Sequence, residues 1–363
     1  MVNTELPGKT AMSRVLFILK RRQDFDAKVH THVGLSTGLY NSAKFMNDML
    51  LEHEVESHLE VVEDYNRIDK FVTLHNPTHC IIEAIWVIPQ KFIILQKLHP
   101  TVKWIIRVHS ETPFLAGEGM AFDWLADYSA FKNIILAINA PRMMEDIKIY
   151  LQHRNGWTDE QTDARVIYLP NYYPQTYTSK VLDKDKDTID ISCFGAIRPL
   201  KNHILQAIAA IGFANEIGKK LRFHVNAGRI EMQGGPVIKN LKSIFEQIHG
   251  KGHELVNHLW RPREEFLELC ATMDIGLQCN LSETFNIVGA DLISQGVPLI
   301  GNADEIPWAV KEFSADPNSS RDIIKKLHLS YTYPQLNAET HQHSLTHYTD
   351  NTAKTWTKYF LKG

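Results

Sequence analysis

The sequence predicts an α/β protein made of two doubly wound, Rossmann-like domains that face each other across a central cleft. Three observations carry that expectation. The chain has 363 residues, 44% hydrophobic and 22% charged, ordinary proportions for a protein that buries large cores. Short runs rich in β-branched residues alternate with amphipathic segments, the pattern of parallel sheets covered on both faces. The alternation stops once, at the polar stretch 174–187, and then restarts. The expected division is an N-terminal domain over 13–173, a linker over 174–187, a C-terminal domain over 188–336, and a closing helix in 337–363 that packs back on the N-terminal domain.

The elements follow in order. VLFILK (15–20) reads as a strand and NSAKFMNDMLLEH (41–53) as an amphipathic helix. HLEVVE (58–63) and KFVTLH (70–75) read as strands, and the apolar stretch 80–97 as a helix broken at Pro89. KWIIRVH (103–109) and NIILAI (133–138) are strands, a helix opens at Pro141, and RVIYLPN (165–171) is a strand ending in a turn. In the second half TIDISCFGAI (188–197), LRFHVNA (221–227), part of HELVNHLW (253–260), DIGLQC (274–279) and VPLIG (297–301) read as strands. Helices are expected at 202–217, 236–248, 262–272, from about 284, at 304–312 and at 337–361.

Composition excludes some classes. The net charge of −3 gives no global basic field of the kind that marks nucleic-acid binders. Cys80, Cys193, Cys270 and Cys279 are scattered in apolar runs without a CxxC, which reads as buried core thiols in a reducing compartment. Residues 1–12 lack the apolar core of a signal peptide, and the most apolar region, 80–95, is too short and too polar to span a bilayer. A soluble, cytoplasmic protein is expected. The DKDKD run at 183–187 offers an Asp-x-Asp pair, but its alternating lysines read as a solvated linker rather than a metal site.

Three places carry polarity at strand ends, where doubly wound sheets bind ligands. In FGAIRPLKNH (194–203), Gly195 leaves the strand, Arg198 and Lys201 follow, and a helix begins near Asn202. Two cations beside a helix start suit phosphates. In SETFNIVGADLISQGVP (282–298), Glu283 stands on the turn with Thr284 beside it, and the amides of Phe285, Asn286, Ile287 and Val288 open the helix toward a diphosphate. Glu283 can accept hydrogen bonds from sugar hydroxyls, and Asp291, two turns on, from a ribose diol. A helix cap would account for Glu283 but leaves Asp291 in VGADLI unexplained. In the first half, Gly34 and Gly38 in HVGLSTG (32–38) permit close backbone approach, and His109 ends the strand in RVHSE (107–111). Phe114, Phe122 and Trp124 in the following loop suit an acceptor surface, with Trp124 favoured as core.

Taken together these residues resemble the GT-B glycosyltransferases, specifically the family-4-type retaining enzymes. The resemblance runs from about residue 14 and is sharp over 188–308. The family's Glu-x7-Glu stands here as Glu283-x7-Asp291, its phosphate-binding Arg and Lys fall on Arg198 and Lys201, its junction Asn on Asn171, its first glycine loop on Gly34 and its strand-end histidine on His109. Two departures stand out: Asp291 is one methylene shorter than Glu, and Asn286 replaces a usual glycine.

The resemblance implies a metal-independent enzyme with no cofactor and a nucleotide-diphosphate sugar, a UDP-sugar foremost, as co-substrate. Arg198 and Lys201 would neutralise the leaving diphosphate, Glu283 would hold the donor sugar, Asp291 the ribose, and His109 the sugar hydroxyls or the acceptor. The N-terminal half also looks like glycosyltransferases of tailed bacteriophages, which would place the protein in a host cytoplasm. The acceptor would then be the hydroxymethyl group of a modified pyrimidine in DNA, met by LKRRQ (19–23), Lys28, His30 and His32. A glycan or protein acceptor, and a nucleotide-sugar-binding protein without catalysis, are the alternatives.

Overall fold

The computed structural model describes residues 13–21 and 38–361. Among the described residues, eleven strands form two all-parallel sheets. The first has six: β1 (Arg14–Lys20), β2 (Glu56–Val62), β3 (His79–Glu83), β4 (Lys103–Val108), β5 (Ile134–Ile138) and β6 (Val166–Tyr168), in the order β2-β1-β3-β4-β5-β6. The second has five: β7 (Thr188–Ser192), β8 (Lys220–Val225), β9 (Glu254–Asn257), β10 (Ile275–Gln278) and β11 (Leu299–Gly301), in the order β11-β10-β7-β8-β9. Each order reverses direction once, between β1 and β3 and between β7 and β10. Crevices at such switch points are where these sheets take ligands.

Strands buried on both faces explain the continuous apolar runs. In β1, Leu16 and Ile18 face one core with Ile82, Trp104 and Ile106. Val15 and Phe17 face the other, under Met46 and Met49 of the helix Gly38–Glu52. The second sheet packs Ile191, Phe223 and Leu277 against the helices His203–Glu216 and Ser320–Thr332. The final helix, Pro334–Leu361, spans both halves. At its start Asn337 pairs with both backbone groups of Leu299, an edge-strand residue, at 2.9 Å each. At its end Trp356 stacks on Phe17 of β1, ring centroids 5.9 Å apart.

Four sequence expectations are corrected. Residues 70–75 belong to a helix, Ile68–His75, and the left-handed Asn76 ends it. Residues 79–83 are a strand, and helix appears only from Lys91 to Leu98. The stretch 304–312 is turns ending in a short 3₁₀ piece at Lys311–Phe313. The linker 174–187 is not simply solvated: the Thr178 amide donates to the Ser294 carbonyl (2.8 Å), and the Lys180 ammonium to the Ala271 carbonyl (2.7 Å). All four cysteines are buried free thiols.

Candidate active site

The carboxyl ends of both sheets open on one cleft of about 710 Å³, a volume suited to a small-molecule ligand. Its C-terminal wall is built from the two segments at the β7/β10 switch point: Gly195, Arg198 and Lys201 after β7, then Glu283 to Val288 and Asp291 after β10. Its N-terminal wall includes Lys20 at the end of β1 and Arg21 after it, Glu83 at the end of β3, and His109 after β4. The structure thus brings Arg198, Lys201, Glu283, His109, Gly195, Thr284, Phe285, Asn286, Ile287 and Asp291 to one place. Gly34 lies outside the described residues, as do Arg22, Gln23, Lys28, His30 and His32.

Gly195 turns the chain out of β7 at φ +116°, where a side chain is strained. Its amide donates to the Asn226 side chain at 3.1 Å. A 3₁₀ turn, Pro199–Lys201, then presents the two cations. The sequence reading left both open to phosphate, but each already faces a carboxylate. The Arg198 guanidinium is 3.4 Å from Glu231 and lies over the Phe114 ring, 4.7 Å from its centroid. The Lys201 ammonium donates to Glu283. Burial pushes the Glu283 carboxyl up, but Lys201 and Arg198 outweigh it and hold the group below the usual carboxylate range. Glu283 is therefore ionised at neutral pH. The helix start at His203 does not line the cleft; that at Ile287 does.

That second helix, Ile287–Ser294, begins three residues later than about 284. Asn286 caps it from the left-handed conformation, φ 64° and ψ 76°, its side-chain oxygen accepting the Gly289 amide at 2.7 Å. The amides of Ile287 and Val288 have no intrahelical partner. The Phe285 side chain is buried among Tyr173, Trp308 and Tyr348, so only its backbone can serve a ligand. A Cβ on Gly38, the first residue of the opposing helix, would stand 3.1 Å from Ile287. The helix Gly38–Glu52 therefore meets the helix start at Ile287 across the cleft, and that start favours negative charge.

Asp291 lines the cleft, but one of its oxygens is already engaged. Oδ1 accepts from the Tyr173 hydroxyl (2.8 Å) and from Arg263 (2.7 Å). Arg263 in turn lies over Phe45, 4.7 Å from the ring centroid. Sequence reasoning missed Arg263, which reads as the ordinary opening of a helix after Pro262.

It also missed Glu83, which vanished inside a misassigned helix. Glu83 is fully buried and hydrogen-bonds Arg107 (3.2 and 3.3 Å) and His109. Its carboxyl is raised by burial but brought below the usual range by those two partners. Burial lowers the His109 pKa, against the pull of Glu83. Asn171 accepts from Arg107 and, at 3.3 Å, from Asn139. Phe114 lines the cleft, whereas Phe122 and Trp124 pack on the N-terminal core. Among the described residues no group of three or more His, Cys, Asp or Glu is placed to hold a metal ion, and no helix is long and apolar enough to cross a membrane.

In sequence, no protein-family model and no curated protein matches the chain. In structure, many chains do. A Candida albicans trehalose-6-phosphate phosphatase N-terminal domain is similar over 99% of both chains, with TM-score 0.70 and 12% identity. A UDP-forming α,α-trehalose-phosphate synthase from Burkholderia vietnamiensis is similar over 97% of each, with TM-score 0.64 and 9% identity. The structure described as trehalose-6-phosphate from E. coli bound with UDP-2-fluoro glucose is similar over 96% of this chain and 98% of its own, with TM-score 0.63 and 10% identity. The fold is the one these proteins share. The α/β architecture expected from the sequence, two doubly wound sheets about a cleft (GT-B), is the architecture of this chain.

Proposed function

We propose that the chain is a retaining, family-4-type glycosyltransferase that moves a sugar from a nucleotide-diphosphate sugar, a UDP-sugar foremost, to an acceptor hydroxyl without a metal ion. One observation carries the reading. At a single switch point two cations, an ionised carboxylate and an inward-facing helix start share the wall of one cleft. The likeness to a UDP-forming synthase and to a structure bound with UDP-2-fluoro glucose supports it.

In this reading the diphosphate lies beside Arg198, Lys201 and the amides of Ile287 and Val288. A phosphate there competes for Lys201 and frees Glu283 to accept hydrogen bonds from the donor sugar. Asp291, fixed by Arg263 and Tyr173, turns its second oxygen to the ribose. The bond from the anomeric carbon to the leaving phosphate oxygen breaks, and the acceptor oxygen bonds that carbon on the same face. The leaving phosphate takes the acceptor proton. Cations already in place where charge develops lower the barrier most. His109, on the facing wall, meets the sugar hydroxyls.

For the acceptor, Lys20 and Arg21 on the N-terminal wall favour a hydroxyl near a phosphate. DNA bearing hydroxymethylated pyrimidines, with a phage origin, is the specific proposal, and a glycan or protein is the alternative arm. The second reading is a nucleotide-sugar-binding protein without turnover; the fold also occurs in a domain of a protein whose name, a phosphatase, does not denote glycosyl transfer.

The test is nucleotide release from a panel of sugar nucleotides in EDTA, with and without hydroxymethylcytosine DNA or oligosaccharides. Release is expected, and Glu283→Ala or Arg198→Ala should cut it at least ~10²-fold. Binding of a donor without release supports the second reading. Near-wild-type release by either folded variant removes the site assignment.

A further inference from the structure

Glu283 lies on a short turn after β10, and the neighbouring turn after β11 holds it. The Asn302 side chain donates to the Asn280 carbonyl at 3.0 Å, and Glu305 Oε2 accepts the backbone N–H of Glu283 at 2.9 Å. Glu305 is a nearly buried carboxylate, 9% exposed, and its other oxygen crosses to the N-terminal half. There Arg142, in the first turn of the helix Pro141–Asn155, meets Oε1 at 2.5 Å. The same guanidinium is 3.9 Å from Glu111, another buried carboxylate. The next residue along is fastened to the same half: the Thr284 hydroxyl donates to the His109 carbonyl (3.1 Å) and accepts from Asn139 (3.3 Å).

We propose that Arg142 and Glu305 are positioning residues for Glu283, forming a clasp between the two halves that sets its backbone against the N-terminal wall. Neither touches the cleft, and the inference rests on the role given to Glu283 above. An exposed ion pair by itself contributes little. Here the carboxylate is shielded and its second oxygen satisfies a backbone donor at the site, so the pair transmits the approach of the two halves to a single turn. A donor sugar held by Glu283 is thereby presented at the distance from His109 that the closed halves define. A misplacement of about 1 Å at such a contact costs on the order of 10²-fold in rate.

The test uses the full chain and four variants. Arg142→Met breaks the clasp and Arg142→Lys retains a charge. Glu305→Gln keeps an acceptor for the Glu283 amide, and Glu305→Ala removes it. Hydrogen–deuterium exchange of peptides spanning 281–286 should rise ~10-fold in Glu305→Ala and much less in Glu305→Gln, with 188–192 unchanged. With UDP-glucose as donor probe, Arg142→Met should lose ~10-fold in kcat with donor KM within about twofold, and Arg142→Lys should recover most of it. A purely structural pair would move the melting temperature and leave that split and rescue unseen. Unchanged exchange at 281–286 in Glu305→Ala, or full kcat in Arg142→Met, overturns the clasp. A wild-type protein that releases nucleotide from no sugar nucleotide overturns the proposed function instead, and the exchange measurement then decides the clasp alone.

Discussion

Asn286 answers two demands with one side chain. The turn after Phe285 needs a left-handed residue, φ 64°, and the helix that follows needs a cap for the Gly289 amide. Glycine, which the resembled pattern carries there, supplies only the first. Asparagine tolerates this conformation better than most residues with side chains, and its amide also donates to Gln278 at 2.8 Å. Asn286→Ala should therefore cost about 2–3 kcal/mol, from backbone strain plus the lost cap. Asn286→Gly should cost less than that, since it relieves the strain. Urea unfolding of the two variants with unchanged m-values checks this, and equal stabilities would contradict it. At this scale the sequence was readable in the segments that leave the central strands β7 and β10, which bring Arg198, Lys201 and Glu283 to the cleft wall. It was silent on Arg263, Glu305 and Arg142. Nothing local distinguishes them, and only the fold brings position 263 to 291 or 142 to 305.

At the scale of elements, errors fell where periodicity carries little information. HCIIE is buried on both faces and continues into another apolar run, so strand and buried helix look alike. Ala84 at φ 71°, just past the strand, and Pro89 mark the break that a single long helix overlooks. Residues 70–75 carry the strand formers Phe71, Val72 and Thr73 in succession, yet Asn76 is a left-handed helix end. The helix Ser320–Thr332 went unread although Ser319 caps it through the Asp322 amide. The last helix, by contrast, was plain from its length and lack of breakers. It matters most at its end. Trp356 is fully buried, donates to the Pro170 carbonyl at 2.9 Å and covers Phe17. Trp356→Ala should destabilise by about 3–5 kcal/mol. The unfolding midpoint should fall accordingly, and a loss under about 1 kcal/mol would mean that the helix end contributes little to the first sheet.

For the whole molecule the two-sheet plan was legible because strands alternate with helices twice, with a polar break between. What composition could not supply is the buried charge. Burial lowers His79, His258 and His341 to about 4 and His203 to about 3, so these imidazoles stay neutral when folded. Below pH about 6.5 the unfolded chain binds protons there that the native state refuses. Stability therefore falls on acidification, by up to about 1.4 kcal/mol per pH unit for each fully buried ring such as His203 or His341. Glu111 acts oppositely: raised by burial to about 7, it binds a proton in the folded state that the unfolded chain has lost, so its contribution disappears as pH rises through 7. The lowered histidines, His109 and His253 among them, outnumber the raised carboxyls of Glu111 and Asp291 and predict a lower urea midpoint at pH 5 than at pH 7. An equal or higher midpoint would contradict the lowering of these rings.

The central claim is that the cleft binds a nucleotide diphosphate between its cations and the helix start at Ile287. Calorimetric titration of UDP without metal, into the wild-type protein and into Arg198→Met, tests it most directly. The account predicts measurable binding that Arg198→Met weakens at least ~10-fold, the scale of one charge-assisted phosphate contact. No binding by the folded wild type, or identical affinity in the variant, would contradict it.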